Sequence, residues 1–121
     1  ATWSNINRGA MQTMATILQD EKLKADILQE RAKYYALIKE RGDLFTKEAN
    51  ACGLKMVPYI AGFFTSIPCT DPGAACDILH KDNIFAVPVA KGIRVALCAI
   101  PKKKVAGMAA KIKAAVDAVE K

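Results

Sequence analysis

The chain has one histidine, His80, and none of its four cysteines, Cys52, Cys69, Cys76 and Cys98, forms a Cys-x-x-Cys pair. Cys76 and His80 stand four residues apart and could share a helix face. Two ligands do not close a structural zinc site, so no metal is expected. The cysteines read as reduced, mostly buried thiols. No apolar run approaches the ~20 residues of a membrane span. The N-terminus lacks the charged-then-apolar pattern of a secretory signal. The expected setting is the cytoplasm, without a membrane partner. There is no internal repeat, low-complexity stretch or flexible linker. Acidic residues are also in deficit: 18 Lys and Arg against 12 Asp and Glu leave a net charge of +6. Lys102-Lys103-Lys104 is the densest basic cluster, but no aromatics interleave with it and no nucleic-acid recognition motif accompanies it. The other lysines are scattered among acids, as on solvated helix faces, and no nucleic-acid partner is expected.

What remains is a globular composition, 52% apolar and 25% charged over 121 residues, enough for one domain with a modest core. Met11, Met14, Ile17 and Leu18 fall at helical spacing in a short amphipathic helix from about Asn7. Asp20 then offers an N-cap, with Glu21 in the first turn. From there to Cys52, Leu23, Ile27, Tyr34, Ile38, Phe45 and Ala49 follow three- and four-residue steps, and Gly53 sits where a C-terminal cap belongs. A helix of about 30 residues spans on the order of 45 Å. That length suits an element bridging two bodies, one of them absent. Gly42 inside it marks an expected bend.

Residues 54–60 read as a strand, Ala61-Gly62 as a turn and Phe63 to Pro68 as a second strand, together a hairpin. Asp71 before Pro72 predicts a helix start, and that helix runs to about His80 or Lys81. Strands follow near Ile84 to Val87 and around Arg94, and Pro101 opens one final helix through Val119. The order predicts a two-layer α+β sandwich, with helices on one sheet face. The other face would carry Phe64, Ser66, Arg94, Ala96 and Cys98.

Alternation on the last strand puts Ile93, Val95 and Leu97 on one side and Arg94 on the other. Arginine suits two tasks here, a local ion pair or capture of a carboxylate or phosphate in two-pronged fashion, and the residues alone leave both open. Phe64 is open between core packing and a ligand-facing role. Ser4 and Asn5 both suit helix capping.

Gly92-Ile93-Arg94-Val95-Ala96 after a strand and turn resembles the end of fold-type-I, class I/II pyridoxal-phosphate-dependent aminotransferases of the aspartate/aromatic kind. Two further segments match in order. Ala1-Thr2-Trp3-Ser4-Asn5 resembles the family's aromatic-Ser-Asn segment, and Ala61-Gly62-Phe63-Phe64-Thr65 resembles its Gly-x-Phe turn and strand. Ile6-Asn7 stands where aspartate-type relatives carry paired prolines. The resemblance covers essentially the whole chain and implies a small C-terminal domain over residues 21–121, with a bridging helix over 21–52. Residues 1–20 would end a large domain that is missing here. It implies Arg94 as the ligand of the substrate α-carboxylate, Phe64 as a substrate-facing aromatic, and Ser4 and Asn5 at the dimer boundary near the cofactor. The parent would be a homodimer exchanging amino groups between an L-amino acid and a 2-oxo acid. No Ser-x-x-Lys occurs in the chain. The lysine that would bind pyridoxal phosphate is therefore expected elsewhere, and Lys91 reads as a solvated turn residue. No residue of this segment is expected to be catalytic by itself. A stand-alone, non-catalytic α+β module that captures a small anion is the rival expectation.

Overall fold

A computed structural model describes residues 7–120. The element order is α1 (Arg8–Gln19), α2 (Glu21–Cys52), β1 (Phe64–Pro68), α3 (Pro72–Lys81), β2 (Val87–Val89), β3 (Gly92–Ala96), α4 (Lys102–Val105) and α5 (Met108–Val119). The chain divides into two compact units, one through Ala36 and one from Leu37 onward, with the boundary inside α2.

The first unit is helical and its boundaries are set by side chains. The Asn7 carboxamide accepts from the Ala10 N–H at 3.1 Å, capping α1. The Asp20 carboxylate accepts from the N–H groups of Lys22 and Leu23 at 2.9 and 3.0 Å, as an N-cap should. Lys22–Asp26 and Lys24–Glu21 pairs follow along α2 at helical spacing. Being solvent-exposed, they contribute little to stability. No residue of α1 is buried.

The second unit is an α+β domain. Its sheet is antiparallel in the order β1-β3-β2, so the Arg94 strand is central. Thr65, Ile67, Ile93 and Val95 point to the buried face. There they join Phe45 and Ala49 of α2, Ala75, Cys76 and Leu79 of α3, and Ile112, Ala115 and Val116 of α5 in one core. Burying a large aliphatic or aromatic side chain contributes about 1.5–3 kcal/mol. The helices thus cover one sheet face, and the opposite face carries Phe64, Ser66, Arg94 and Ala96, as the alternation predicts.

Two helices end in the same hydrogen-bond pattern. At the end of α2, the Leu54 N–H donates to the Ala49 carbonyl at 2.8 Å and the Gly53 N–H to Asn50 at 3.3 Å, with Gly53 at φ 70 and Leu54 buried. At the end of α3, Ile84 donates to Leu79 and Asn83 to His80, both at 3.0 Å, with Asn83 at φ 57. These are Schellman caps, and asparagine takes the place of glycine in the second.

The second cap corrects one expectation. Ile84 is still bound to α3, so the edge strand cannot start there and begins at Val87 instead. Residues 54–60 are not a strand either. One bond links them to β1, from the Val57 N–H to the Ser66 carbonyl at 2.9 Å. The next residue, Pro58, has no N–H with which to continue a ladder. The expected hairpin is therefore a loop running up to β1. Cys98 lies beyond β3 in a 3-10 turn, Leu97–Ala99, and not on the strand. The final helix is two helices, α4 and α5, separated at Ala106-Gly107. Gly107 is left-handed at φ 76, and its N–H donates to the Glu48 carboxylate at 2.8 Å.

Gly42 does not interrupt α2, which runs from Glu21 to Cys52. It is buried against the Tyr59 ring, and a β-carbon there would overlap that ring. The glycine serves close approach of the loop and does not mark the bend expected from its place in the helix.

Candidate functional site

The middle strand places Arg94 between Ser66 on β1 and Val87 on β2. Its neighbours along the chain, Ile93 and Val95, are locked into the core, which fixes the direction in which Arg94 leaves the sheet. The guanidinium lies over the Phe64 ring, 4.8 Å from its centroid. Phe64 is 49% exposed, so it is not a core residue. Its ring meets Phe63 edge-on at 6.4 Å between centroids. Stacking on an aromatic face holds a guanidinium by cation–π attraction while leaving its edge N–H groups free to bind.

The local ion-pair reading of Arg94 finds no support: among the described residues, no carboxylate lies within ion-pair distance of it. Arg94 is exposed on an open sheet face whose other members are mostly apolar or small. Such a surface presents one fixed cation framed by Phe64, Ser66 and Val87. Chemically it can capture an anion in two-pronged fashion and hold an apolar group beside it.

The structure brings Arg94 and Phe64 together, but Ser4 and Asn5 lie outside the described residues. Lys91 is exposed on the turn between β2 and β3. Val87 was not among the expected neighbours of Arg94, because the edge strand falls later than its residue pattern indicates. Arg41 was also missed. Its guanidinium donates to the Cys98 carbonyl at 2.8 Å and so ties α2 to the turn that ends β3. The two residues are 57 positions apart, and no local pattern signals the contact.

Lys102, the first residue of the basic cluster, pairs with Glu40. Among the described residues no group of three His, Cys, Asp or Glu side chains could hold a metal ion. No described helix is long and apolar enough to cross a membrane.

No family model and no curated protein matches the chain. A solved structure does: an aminotransferase from Anaerococcus prevotii is similar with a TM-score of 0.85 and 34% identity over 96% of this chain. The match covers 28% of that aminotransferase chain. The protein is thus similar, in fold and in sequence, to a segment of an aminotransferase, and spans a little over a quarter of that relative's length.

Proposed function

We propose that this chain is the small, C-terminal domain of an amino-acid aminotransferase, with Arg94 holding the substrate α-carboxylate. The parent enzyme passes an amino group between an L-amino acid and a 2-oxo acid. The observation that carries this reading is Arg94 itself, an exposed guanidinium on the central strand, stacked on Phe64 and without a carboxylate partner among the described residues. The similarity to a solved aminotransferase supports it. Phe64 steadies the guanidinium and flanks the substrate. Fixing the carboxylate orients the reacting carbon and lowers the entropic part of the barrier. In this reading residues 1–20 close a large domain, with Ser4 and Asn5 near the cofactor and the dimer boundary. Residues 21–121 form the small domain, and α2 bridges the two. The parent is a cytoplasmic homodimer.

Aminotransfer draws its electronic chemistry from pyridoxal phosphate, which needs a lysine, a partner for the ring nitrogen and a phosphate cradle. The residues here do not fit that group. No described lysine is buried, and Lys91 sits in an exposed turn. In this reading other parts of the parent enzyme hold the cofactor. The isolated chain, titrated with pyridoxal phosphate, is then expected to show no stoichiometric imine absorbance and no turnover.

The deciding test is made in the full-length parent, by comparing catalytic efficiency for an amino acid with that for the matching amine lacking the α-carboxylate. Wild type should prefer the amino acid strongly. Arg94→Ala should lose most of that preference, on the order of 2–5 kcal/mol. Arg94→Lys should restore it only in part, because a point charge does not reproduce the two-pronged contact. An alanine variant that kept the preference would make Arg94 a structural residue.

A further inference from the structure

A cleft of about 570 Å³ opens at the end of β3, and neither Arg94 nor Phe64 lines it. That volume falls within the ~300–1,000 Å³ of small-molecule sites. Three breaks in regular structure shape it: the left-handed Asn83 turn after α3, the 3-10 turn after β3, and the Gly107 interruption between α4 and α5. Each break is held by hydrogen bonds already described or by a left-handed residue, so the cleft is built into the fold. Ile84, Val95, Ile100 and Met108 supply apolar walls.

The charges in the cleft are Lys104, Lys111 and Asp82. Lys111 reaches Asp82 only at 3.6 Å, with both side chains 52% exposed. Lys104 has no carboxylate within ion-pair distance among the described residues. The two lysines against one aspartate leave the cleft with an excess positive charge beside an apolar wall.

We propose that this cleft binds a small monocarboxylate with an aromatic or branched apolar body. The body packs against Ile84, Val95, Ile100 and Met108, and the carboxylate is met by Lys104 and Lys111. The charge selects an anion, and the apolar lining selects against small hydrophilic ones such as acetate or propanoate. This site is independent of the carboxylate role proposed for Arg94.

The test follows backbone amide shifts by NMR in the full chain as 3-phenylpropanoate is added. Propanoate and 3-phenylpropanol serve as probes lacking the apolar body and the charge. Saturable shifts are expected at Val95, Ile100, Met108 and Lys111, much weaker with either control. The K104Q/K111Q variant should bind about fivefold more weakly, as two exposed charge contacts would give. Ala99→Trp, at an exposed lining position, should fill the cleft and abolish binding. Arg94→Ala should leave binding unchanged. The proposal is overturned if the alcohol binds as well as the acid, or if no saturable shift reaches the cleft. It is also overturned if the shifts centre on Phe64 and Arg94 and vanish in Arg94→Ala, which would place the anion on the other face.

Discussion

Arg94 and Phe64 meet across a diagonal of the sheet, the guanidinium 4.8 Å from the ring centroid. In the β1–β3 register Phe64 faces Ala96 and Ser66 faces Arg94, so the pair are one diagonal step apart on the same face. An exposed cation–π contact of this kind is worth about 0.5–1 kcal/mol. A double-mutant cycle with Phe64→Leu and Arg94→Met, read by urea unfolding, should return a coupling of about that size. A coupling near zero would mean that the stack does not hold the guanidinium in solution. Phe45, fully buried at the centre of the core, provides the contrast. Its replacement by alanine should cost about 3–5 kcal/mol.

Gly42→Ala should destabilise the protein although alanine is the better helix former. At an exposed helix position the exchange would gain about 1 kcal/mol. Here the new methyl group meets the Tyr59 ring, whose hydroxyl donates to the Gly62 carbonyl at 2.8 Å. Overpacking of this kind costs about 1–3 kcal/mol. The cost of Gly42→Ala should be smaller in a Tyr59→Ala background than in wild type, read as the difference in urea midpoints within each background. Equal losses with and without Tyr59 would refute the steric explanation.

Burial pushes the thiols of Cys69 and Cys76 above the usual thiol range. In the unfolded chain they ionise near pH ~8.5. Below that pH both states keep the proton and the stabilising contribution is complete. As pH rises further, the unfolded chain loses its protons first, so stability falls through the range between unfolded and folded pKa values. The urea midpoint should therefore drop more steeply above pH ~8.5 in wild type than in a Cys69→Ala, Cys76→Ala double variant. A thiol reagent should label the half-buried Cys52 and Cys98 before the other two.

The helices through Ala36 expose an unusual amount of apolar side chain. Met11, Met14 and Leu18 of α1 are each more than half exposed, and Leu23, Ile27 and Leu28 follow on α2. Exposed apolar surface drives association. The isolated chain should show a mass that rises with concentration in sedimentation, and Met14→Lys with Leu18→Lys should reduce that rise. A monomer at all concentrations, with no binding of an apolar-surface dye, would favour a self-contained module over a domain that needs partners.

Much of the local structure was legible because its causes lie within a few residues. Asp71 caps α3 by accepting from the Ala74 N–H at 3.0 Å, with Pro72 at the first helical position. Asp20 caps α2, and Gly53 ends it. Alternation around Arg94 separated the buried Ile93 and Val95 from the exposed arginine, because a strand has only two faces. Where the structure departs from these patterns, a local backbone constraint decides the outcome. The Asn83 cap held Ile84 to α3 and delayed β2, Pro58 stopped a ladder beside β1, and left-handed Gly107 split the last helix.

Local sequence settles where α2 begins and ends, where α3 begins and on which face Arg94 stands, since these follow from capping bonds and a two-residue alternation within a few positions. Packing between distant elements settles that Phe64 lies under Arg94, that Gly42 makes room for Tyr59, that Arg41 reaches the Cys98 carbonyl, and that a cleft opens between the Asn83 and Gly107 turns. Each depends on which strands and helices come together over the shared core. That pairing is set by the joint burial of residues far apart in the chain, and no short stretch of sequence encodes it.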